Sequence, residues 1–163
     1  MLWACWYTLA SLTNLFDFMH GIGNLPDSWL FRSDNYANLQ QVFSIYHTPS
    51  FFVSFLFICD MSAQAISAIL FWIAFICFFS NNKYKWQFIN AAFGFSIALW
   101  SVFLVLQEIF IAYALEHVFI RLSAYEMLTF IMIHLLPGYS RTNYQELTNS
   151  EVLPEYHGQN HQI

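Results

Sequence analysis

Long apolar stretches alternate with short polar ones along most of this 163-residue chain. A helix needs about 20 mostly apolar residues to cross the hydrocarbon core of a membrane. The apolar stretches 2–18, 50–79, 88–115 and 118–136 therefore predict spans. We expect an all-α fold, an integral membrane bundle of about four transmembrane helices.

The division between the last two spans is predicted from length, because no helix-breaking residue marks it. Neither Gly nor Pro occurs in 95–136, and a single helix over that stretch would be about 63 Å long. That length is about twice the thickness of the hydrocarbon core, so the chain has to turn back. The polar pair Glu116-His117 is the expected position of the turn.

The segment between the first two spans is mixed in polarity and predicts an interfacial loop with short helices. Leu39, Val42, Phe43 and Tyr46 recur at helical spacing and predict one apolar face. After Pro137-Gly138 the composition becomes polar and acidic, and such a segment buries too little apolar surface to fold by itself. We expect two parts, a four-helix transmembrane domain at 1–136 and a polar acidic tail at 137–163.

Composition excludes several classes of protein. The chain is 58% hydrophobic and 9% charged, whereas about 25% of the residues in a soluble domain are charged. The net charge of −5 comes without a basic patch, so we expect no nucleic-acid partner. The sequence contains no G-x-S-x-G, no H-E-x-x-H and no phosphate-binding glycine loop. We therefore predict no catalytic residue and no enzymatic activity of the chain alone.

Four spans would put both termini on one side of the membrane together with Lys83, Lys85 and Arg141. Arg32 and Arg121 would lie on the other side. Cytoplasmic loops carry an excess of Lys and Arg, so this distribution favours an orientation with both termini inside.

Small and polar residues recur on one face of each of the first three spans. Helices in lipid associate through such residues, because the lipid supplies no hydrophobic force that drives helices together. We expect these faces to point into the bundle. They comprise Ala4, Thr8 and Ser11 in the first span, Asp60, Gln64, Ser67, Phe71 and Ala74 in the second, and Gly94, Ala98, Ser101, Val105, Glu108, Ala112 and Glu116 in the third.

Asp60, Gln64, Glu108 and Arg121 are the candidate structural polar residues within the spans. A Glu in a span is costly unless it is paired, protonated or near the interface. We interpret Glu108 as the partner of Arg121 or of a hydroxyl near the turn at 116–117. The alternative is a carboxylate that handles protons or binds a ligand.

The histidines are weak candidates for a cofactor site. Haem ligation by two histidines in a bundle requires side chains that face each other across helices. His20 and His117 fall on the same side of the predicted membrane, and loop or interface roles are the alternative. We predict no metal site and no cofactor, and we keep haem and quinone as alternatives.

Short stretches of the chain carry a further signal: NLFDF at 14–18, NYANLQQVFSI at 35–45, residues 65–72, and residues 94–95 with 108–110. They resemble stretches of a bacterial family described only as predicted small integral membrane proteins of unknown function. The resemblance implies four helices and an interfacial loop. It implies no activity, because that family has none assigned.

These observations favour a non-catalytic integral membrane subunit with a structural or assembly role in a larger complex, for example in the respiratory chain. Its partners would be membrane lipids and other membrane subunits. The expected location is an energy-transducing membrane, either the mitochondrial inner membrane or a bacterial plasma membrane. The alternative is a quinone- or haem-binding anchor of an oxidoreductase, and a third hypothesis is a small transporter or channel.

Overall fold

The computed structural model describes residues 1–80, 82–110 and 116–135, with only the backbone of Glu116 described. Within these ranges the chain is all-α and contains five helices and no strand. The helices are α1 (Leu2–Gly21), α2 (Asn35–Ser44), α3 (Ser50–Phe79), α4 (Lys85–Phe110) and α5 (Glu116–His134).

The bounds of the helices follow the apolar stretches closely. α3 covers the predicted second span, 50–79, residue for residue, and α1 continues past the first predicted span to Gly21. α4 begins at Lys85, slightly before the predicted start of the third span. Glu116 and His117 are the first residues of α5. The prediction of a turn at this pair is therefore wrong, because both residues are helical.

α3 packs against both α1 and α4, and the short α2 packs on α1 and α3. Tyr7 stacks on Phe71 with the ring centroids 5.7 Å apart, and Phe18 lies 6.2 Å from Phe57. Because the earlier residue of α1 pairs with the later residue of α3, these two helices are antiparallel.

The predicted interfacial segment contains one helix, α2, and its apolar face packs inward as expected. Phe43 is buried, and Leu39 and Val42 are half-buried. Tyr46 lies beyond the end of the helix and is exposed, and its hydroxyl donates a hydrogen bond to the Phe110 carbonyl over 2.9 Å. This bond ties the segment after α2 to the end of α4.

Gly21, the last residue of α1, allows a close approach of α2. A Cβ atom at this position would collide with the ring of Tyr36, which is buried against it. The Tyr36 hydroxyl is 2.7 Å from Ser54 Oγ on α3. One aromatic side chain therefore connects α2 to both of the helices on which it packs.

By length and composition, α3 and α4 are apolar enough to cross a membrane, and they are the two helices of this kind among the described residues. This finding weakly supports a membrane location. Large apolar side chains of α3 are also exposed on its outer side: Phe51, Phe55, Ile69, Ile76 and Phe79.

The inward faces of α1 and α3 agree with the prediction. On α3, Gln64, Ser67, Phe71 and Ala74 are buried, and Asp60 is half-buried. On α1 the predicted residues are likewise turned inward, with one of them buried and the others half-buried. These are Ala4, Thr8 and Ser11.

The predicted inward face of α4 is wrong. The five described members of the predicted stripe are all exposed: Gly94, Ala98, Ser101, Val105 and Glu108. Ala112 and the side chain of Glu116, which complete that stripe, lie outside the described residues.

The other side of α4 faces the bundle. Its buried residues include Phe93, Ser96, Trp100 and Gln107. A shift of two residues turns a helix by about 200°, so this side lies roughly opposite the predicted one. Large rings fill the interior here, since Phe93 lies 4.9 Å from Phe71 of α3. A rule based on small residues alone therefore selects the wrong side of α4.

The chain divides into two compact units, Met1–Met127 and Leu128–Ile163, and the division falls within α5. In the second unit the structure describes residues 128–135, and α5 continues through them to His134. The predicted domain boundary at 136 and the predicted tail at 137–163 lie outside the described residues.

Candidate functional site

A fully buried carboxyl group, that of Glu126, lies where three helices meet. Its Oε2 atom accepts hydrogen bonds from the Tyr7 hydroxyl of α1 over 3.1 Å and from Trp100 Nε1 of α4 over 2.6 Å. Its Oε1 atom is hydrogen-bonded to Ser96 Oγ, also of α4. We call these four residues the carboxyl site.

The local geometry of each helix explains how the partners converge. Ser96 and Trp100 are four residues apart on α4, so they lie on one face one above the other. Tyr7 is held in place by its stacking on Phe71, with 12° between the ring planes. Glu126 comes from α5, and the carboxyl site therefore connects α1 and α4 to α5.

Aromatic rings surround the carboxyl site. The Trp100 ring lies 6.3 Å from Tyr7 and 5.7 Å from both Trp6 and Phe119. Tyr7 itself is completely buried and covered on one side by Phe71. The carboxyl group is thus enclosed by apolar surface, where an unsatisfied polar atom costs far more free energy than it would in water.

No positive charge compensates this carboxyl group within the described part of the chain. Its hydrogen-bond partners there are a phenol, an indole and an aliphatic hydroxyl, all of them neutral donors. The ion pairs His20–Asp27 and Arg32–Asp34 do not involve Glu126. The site is therefore held by hydrogen bonds and packing.

A second polar cluster lies about 10 Å further along α1, seven residues after Tyr7. Asn14 Nδ2 donates to Gln64 Oε1 of α3 over 2.9 Å. Asn14 Oδ1 accepts from Ser33 Oγ over 2.6 Å and from Asn35 Nδ2 over 2.9 Å. Together with Asp17, these residues form what we call the polar clasp.

Asp17 provides a cap for α2 from a different helix. Its Oδ2 atom accepts the backbone N–H of Tyr36 over 2.7 Å. The first N–H groups of a helix have no partner within that helix, and Asp34, which precedes α2, makes no capping bond with its side chain. The buried carboxylate of α1 thus determines where α2 begins.

The predicted polar residues of α3 join the polar clasp. Gln64 Nε2 donates to both carboxylate oxygens of Asp60, over 2.9 and 3.1 Å. Because Gln64 also accepts from Asn14, its amide links the half-buried Asp60 to α1. Their assignment as structural polar residues remains a prediction.

The other predicted polar residues lie at the surface. Glu108 is exposed on α4 and Arg121 is exposed on α5. The proposed ion pair between them remains a prediction. The alternative partner predicted for Glu108 was a hydroxyl near residues 116–117. Residues 111–115 of that region lie outside the described residues.

The two candidate haem histidines lie at helix ends. His20 is near the end of α1, with its Nε2 atom 3.1 Å from Asp27 Oδ1. His117 is exposed in the first turn of α5. Among the described residues, no group of three or more His, Cys, Asp or Glu side chains is placed to hold a metal ion.

The carboxyl site was missed by sequence reasoning, although one signal for it was present. Glu126 is an acidic residue within the apolar stretch 118–136. An ionisable residue inside a span is a candidate functional residue by default, and this argument applies to Glu126 as much as to Glu108. Its partners carry no local signal, because Tyr7 is 119 positions away in the chain.

Comparisons of the chain with protein-family models, with curated proteins and with solved structures found no match.

Proposed function

We propose that this chain is a non-catalytic integral membrane subunit with a structural or assembly role in a larger membrane complex. The observation that carries the proposal is the carboxyl site. Its ionisable group is enclosed, and its hydrogen bonds end on Tyr7, Ser96 and Trp100 of the chain itself. A carboxyl group used in this way joins helices, which is a structural task.

The outer face of α4 supports the proposal of partner subunits. Gly94, Ala98 and Ser101 are exposed there, and a Cβ added at Gly94 would meet no atom within 4 Å. Small residues allow close approach of a second helix in lipid. The bundle described here does not use this face, so it is available to a helix of another subunit.

The proposal includes four spans in an energy-transducing membrane. α1 has 20 residues and α5 has 19, so both are long enough to cross a membrane beside α3 and α4. The resemblance to the family of small integral membrane proteins is consistent with that number. Reporter fusions after Lys85, at Arg32 and at the C-terminus test it. We expect Lys85 and the C-terminus on one side and Arg32 on the other, and a C-terminal reporter on the Arg32 side would exclude four spans.

A matched pair of variants tests the role as a subunit. Ala98→Trp adds bulk to the outer face of α4, and Ile69→Trp adds it to an exposed position of α3. The tagged full chain, extracted from its native membrane in mild detergent, should sediment as a complex with other polypeptides. Ala98→Trp should release those polypeptides while Ile69→Trp retains them. Sedimentation of the unmodified chain as a 19.2 kDa monomer would contradict the proposal.

One observation favours the alternative of a quinone-binding anchor. Trp3 Nε1 is buried and has no hydrogen-bond partner in the described part of the chain. A buried donor of this kind normally has an acceptor, and a quinone carbonyl would be one. Trp3 also lies edge-on to Trp6, with ring centroids 6.3 Å apart.

A binding measurement separates this alternative from a purely structural role. A soluble quinone should quench the tryptophan fluorescence of the full chain in detergent, and Trp3→Phe should weaken binding at least tenfold. Trp86→Phe is the matched control, because it removes the same kind of indole N–H from a tryptophan in the first turn of α4. Equal binding by the unmodified chain and Trp3→Phe would exclude this site.

A further inference from the structure

We infer that the Glu126 carboxyl group binds a proton in the folded protein and donates it in its hydrogen bond to Ser96. The site would then hold a neutral carboxylic acid, with a proton as its ligand. This inference goes beyond a structural role, and it holds with or without partner subunits. It follows from the number of hydrogen atoms that the partners can supply.

The Ser96 hydroxyl has one hydrogen atom but several acceptors within reach. Its Oγ atom is 2.9 Å from the Ala92 carbonyl oxygen and 3.1 Å from that of Phe93, and it also contacts Glu126 Oε1. A single hydroxyl hydrogen cannot serve the backbone and the carboxyl group at full strength at once. If Ser96 donates to Ala92, the hydrogen between Ser96 and Glu126 has to come from the carboxyl group.

The two carboxyl oxygens are not equivalent. Oε2 accepts hydrogen atoms from both the Tyr7 hydroxyl and the Trp100 indole, whereas Oε1 contacts only Ser96 in the described part of the chain. The indole can act only as a donor. Oε2 is therefore suited to be the carbonyl oxygen and Oε1 the protonated oxygen. In that arrangement Glu126 donates to Ser96, Ser96 donates to Ala92, and every polar hydrogen has an acceptor.

The charges around the site agree with a neutral acid. The one titratable side chain in contact with Glu126 in the described ranges is Tyr7 of α1, and it supplies no positive charge. α4 contributes Ser96 and Trp100, and α3 approaches with the apolar Phe71. An ionised carboxylate enclosed by such groups would be an uncompensated buried charge, and proteins avoid this by neutralising the group.

The geometry can also accommodate the carboxyl group without its proton. When the proton leaves Oε1, the Ser96 hydroxyl hydrogen turns from the Ala92 carbonyl towards the new anion. The Tyr7 and Trp100 hydrogens remain on Oε2. No heavy atom has to move far, so the same three donors can serve the protonated and the ionised carboxyl group.

Infrared spectroscopy of the full chain in lipid bilayers at neutral pH tests the inference. A protonated carboxyl group gives a C=O stretch that an ionised carboxylate lacks, and that band shifts in D2O. We expect such a band in the unmodified protein and its loss in Glu126→Gln. Asp60→Asn and Glu108→Gln, which remove other acidic groups from the same bundle, should leave the band in place.

Two outcomes would overturn the inference: a C=O band that persists in Glu126→Gln, or a loss of carboxylate bands in that variant instead. Tyr7→Phe gives an independent measurement if Glu126→Gln does not fold. It removes one hydrogen bond to the carbonyl oxygen, so the C=O band should remain and move to higher frequency. An unchanged band in Tyr7→Phe would place the proton elsewhere and reject the assignment.

Discussion

The carboxyl site and the polar clasp both join α1 to the rest of the bundle, but they are built differently. The carboxyl site is enclosed by aromatic rings, and its acceptor Glu126 is surrounded by neutral donors. The polar clasp includes the exposed Asn35 and the half-buried Ser33, and its amide groups can both donate and accept. Water can therefore solvate the outer members of the clasp, whereas every member of the carboxyl site is buried.

This difference predicts where a substitution is most harmful. A lost hydrogen bond in an enclosed site leaves the partner with its full desolvation cost, about 1–3 kcal/mol for each buried group. At a site open to water the cost is smaller, because the partner is solvated again. The loss of stability caused by a substitution should therefore depend on how completely the site is buried, and not on how many hydrogen bonds the site contains.

The largest effect is expected at Glu126. Glu126→Leu leaves the Tyr7 and Trp100 donors without an acceptor and should lower the free energy of unfolding by about 2–4 kcal/mol. Glu126→Gln keeps an acceptor and a donor of similar shape and should cost less than about 1 kcal/mol. Unfolding by SDS titration in mixed micelles measures both. Equal losses in the two variants would mean that hydrogen bonding is not what Glu126 contributes.

Close packing at the end of α1 should give the next largest effect. Gly21→Ala places a methyl group against the Tyr36 ring and should cost about 1–3 kcal/mol through overpacking. Gly94→Ala is the matched control, because its methyl group meets no atom and replaces a helical Gly by a better helix former. Thermal unfolding of the two variants should show opposite shifts. Destabilisation by Gly94→Ala would contradict the assignment of that face to the outside.

The helix cap in the polar clasp should give a smaller and local effect. Asp17→Ala removes the acceptor of the Tyr36 N–H and should cost about 1–2 kcal/mol, as the loss of an N-cap does. Hydrogen exchange should become faster in α2 and remain unchanged in α4. Asp34→Asn is the control, because Asp34 makes no side-chain cap and Asn tolerates its positive φ of 58°. Faster exchange throughout the bundle would show that Asp17 holds more than α2.

The smallest effect is expected at the exposed Glu108. A surface ion pair contributes about 0–1 kcal/mol, so Glu108→Gln should leave stability almost unchanged. Assembly and any activity of the surrounding complex should also remain, which sedimentation and turnover measurements can check. Normal assembly with lost activity in this single variant would overturn the interpretation of the chain as a non-catalytic subunit.

Sequence analysis predicted correctly which side of α3 faces the bundle and predicted the wrong side for α4. The reason for the difference can be identified. On α3 the polar Gln64 and the aromatic Phe71 share a face, and both are buried. On α4 the stripe of Gly94, Ala98 and Ser101 is exposed, whereas the aromatic residues Phe93 and Trp100 are buried. The partners of Ser96 and Trp100 are a carboxyl group on α5 and a ring on α1, and no local rule can weigh these contacts against a stripe of small residues.

The sequence by itself determined which of the described parts of this chain are helical and, for α3, both ends of the helix. Helix formation depends on local backbone hydrogen bonds and on the length of apolar stretches, both of which can be read from neighbouring residues. The tertiary structure alone decided which side of α4 turns inward, that Asp17 caps α2, and that Glu126 meets Tyr7 across 119 positions. These features depend on contacts between distant residues, and such contacts exist only once the helices have packed together.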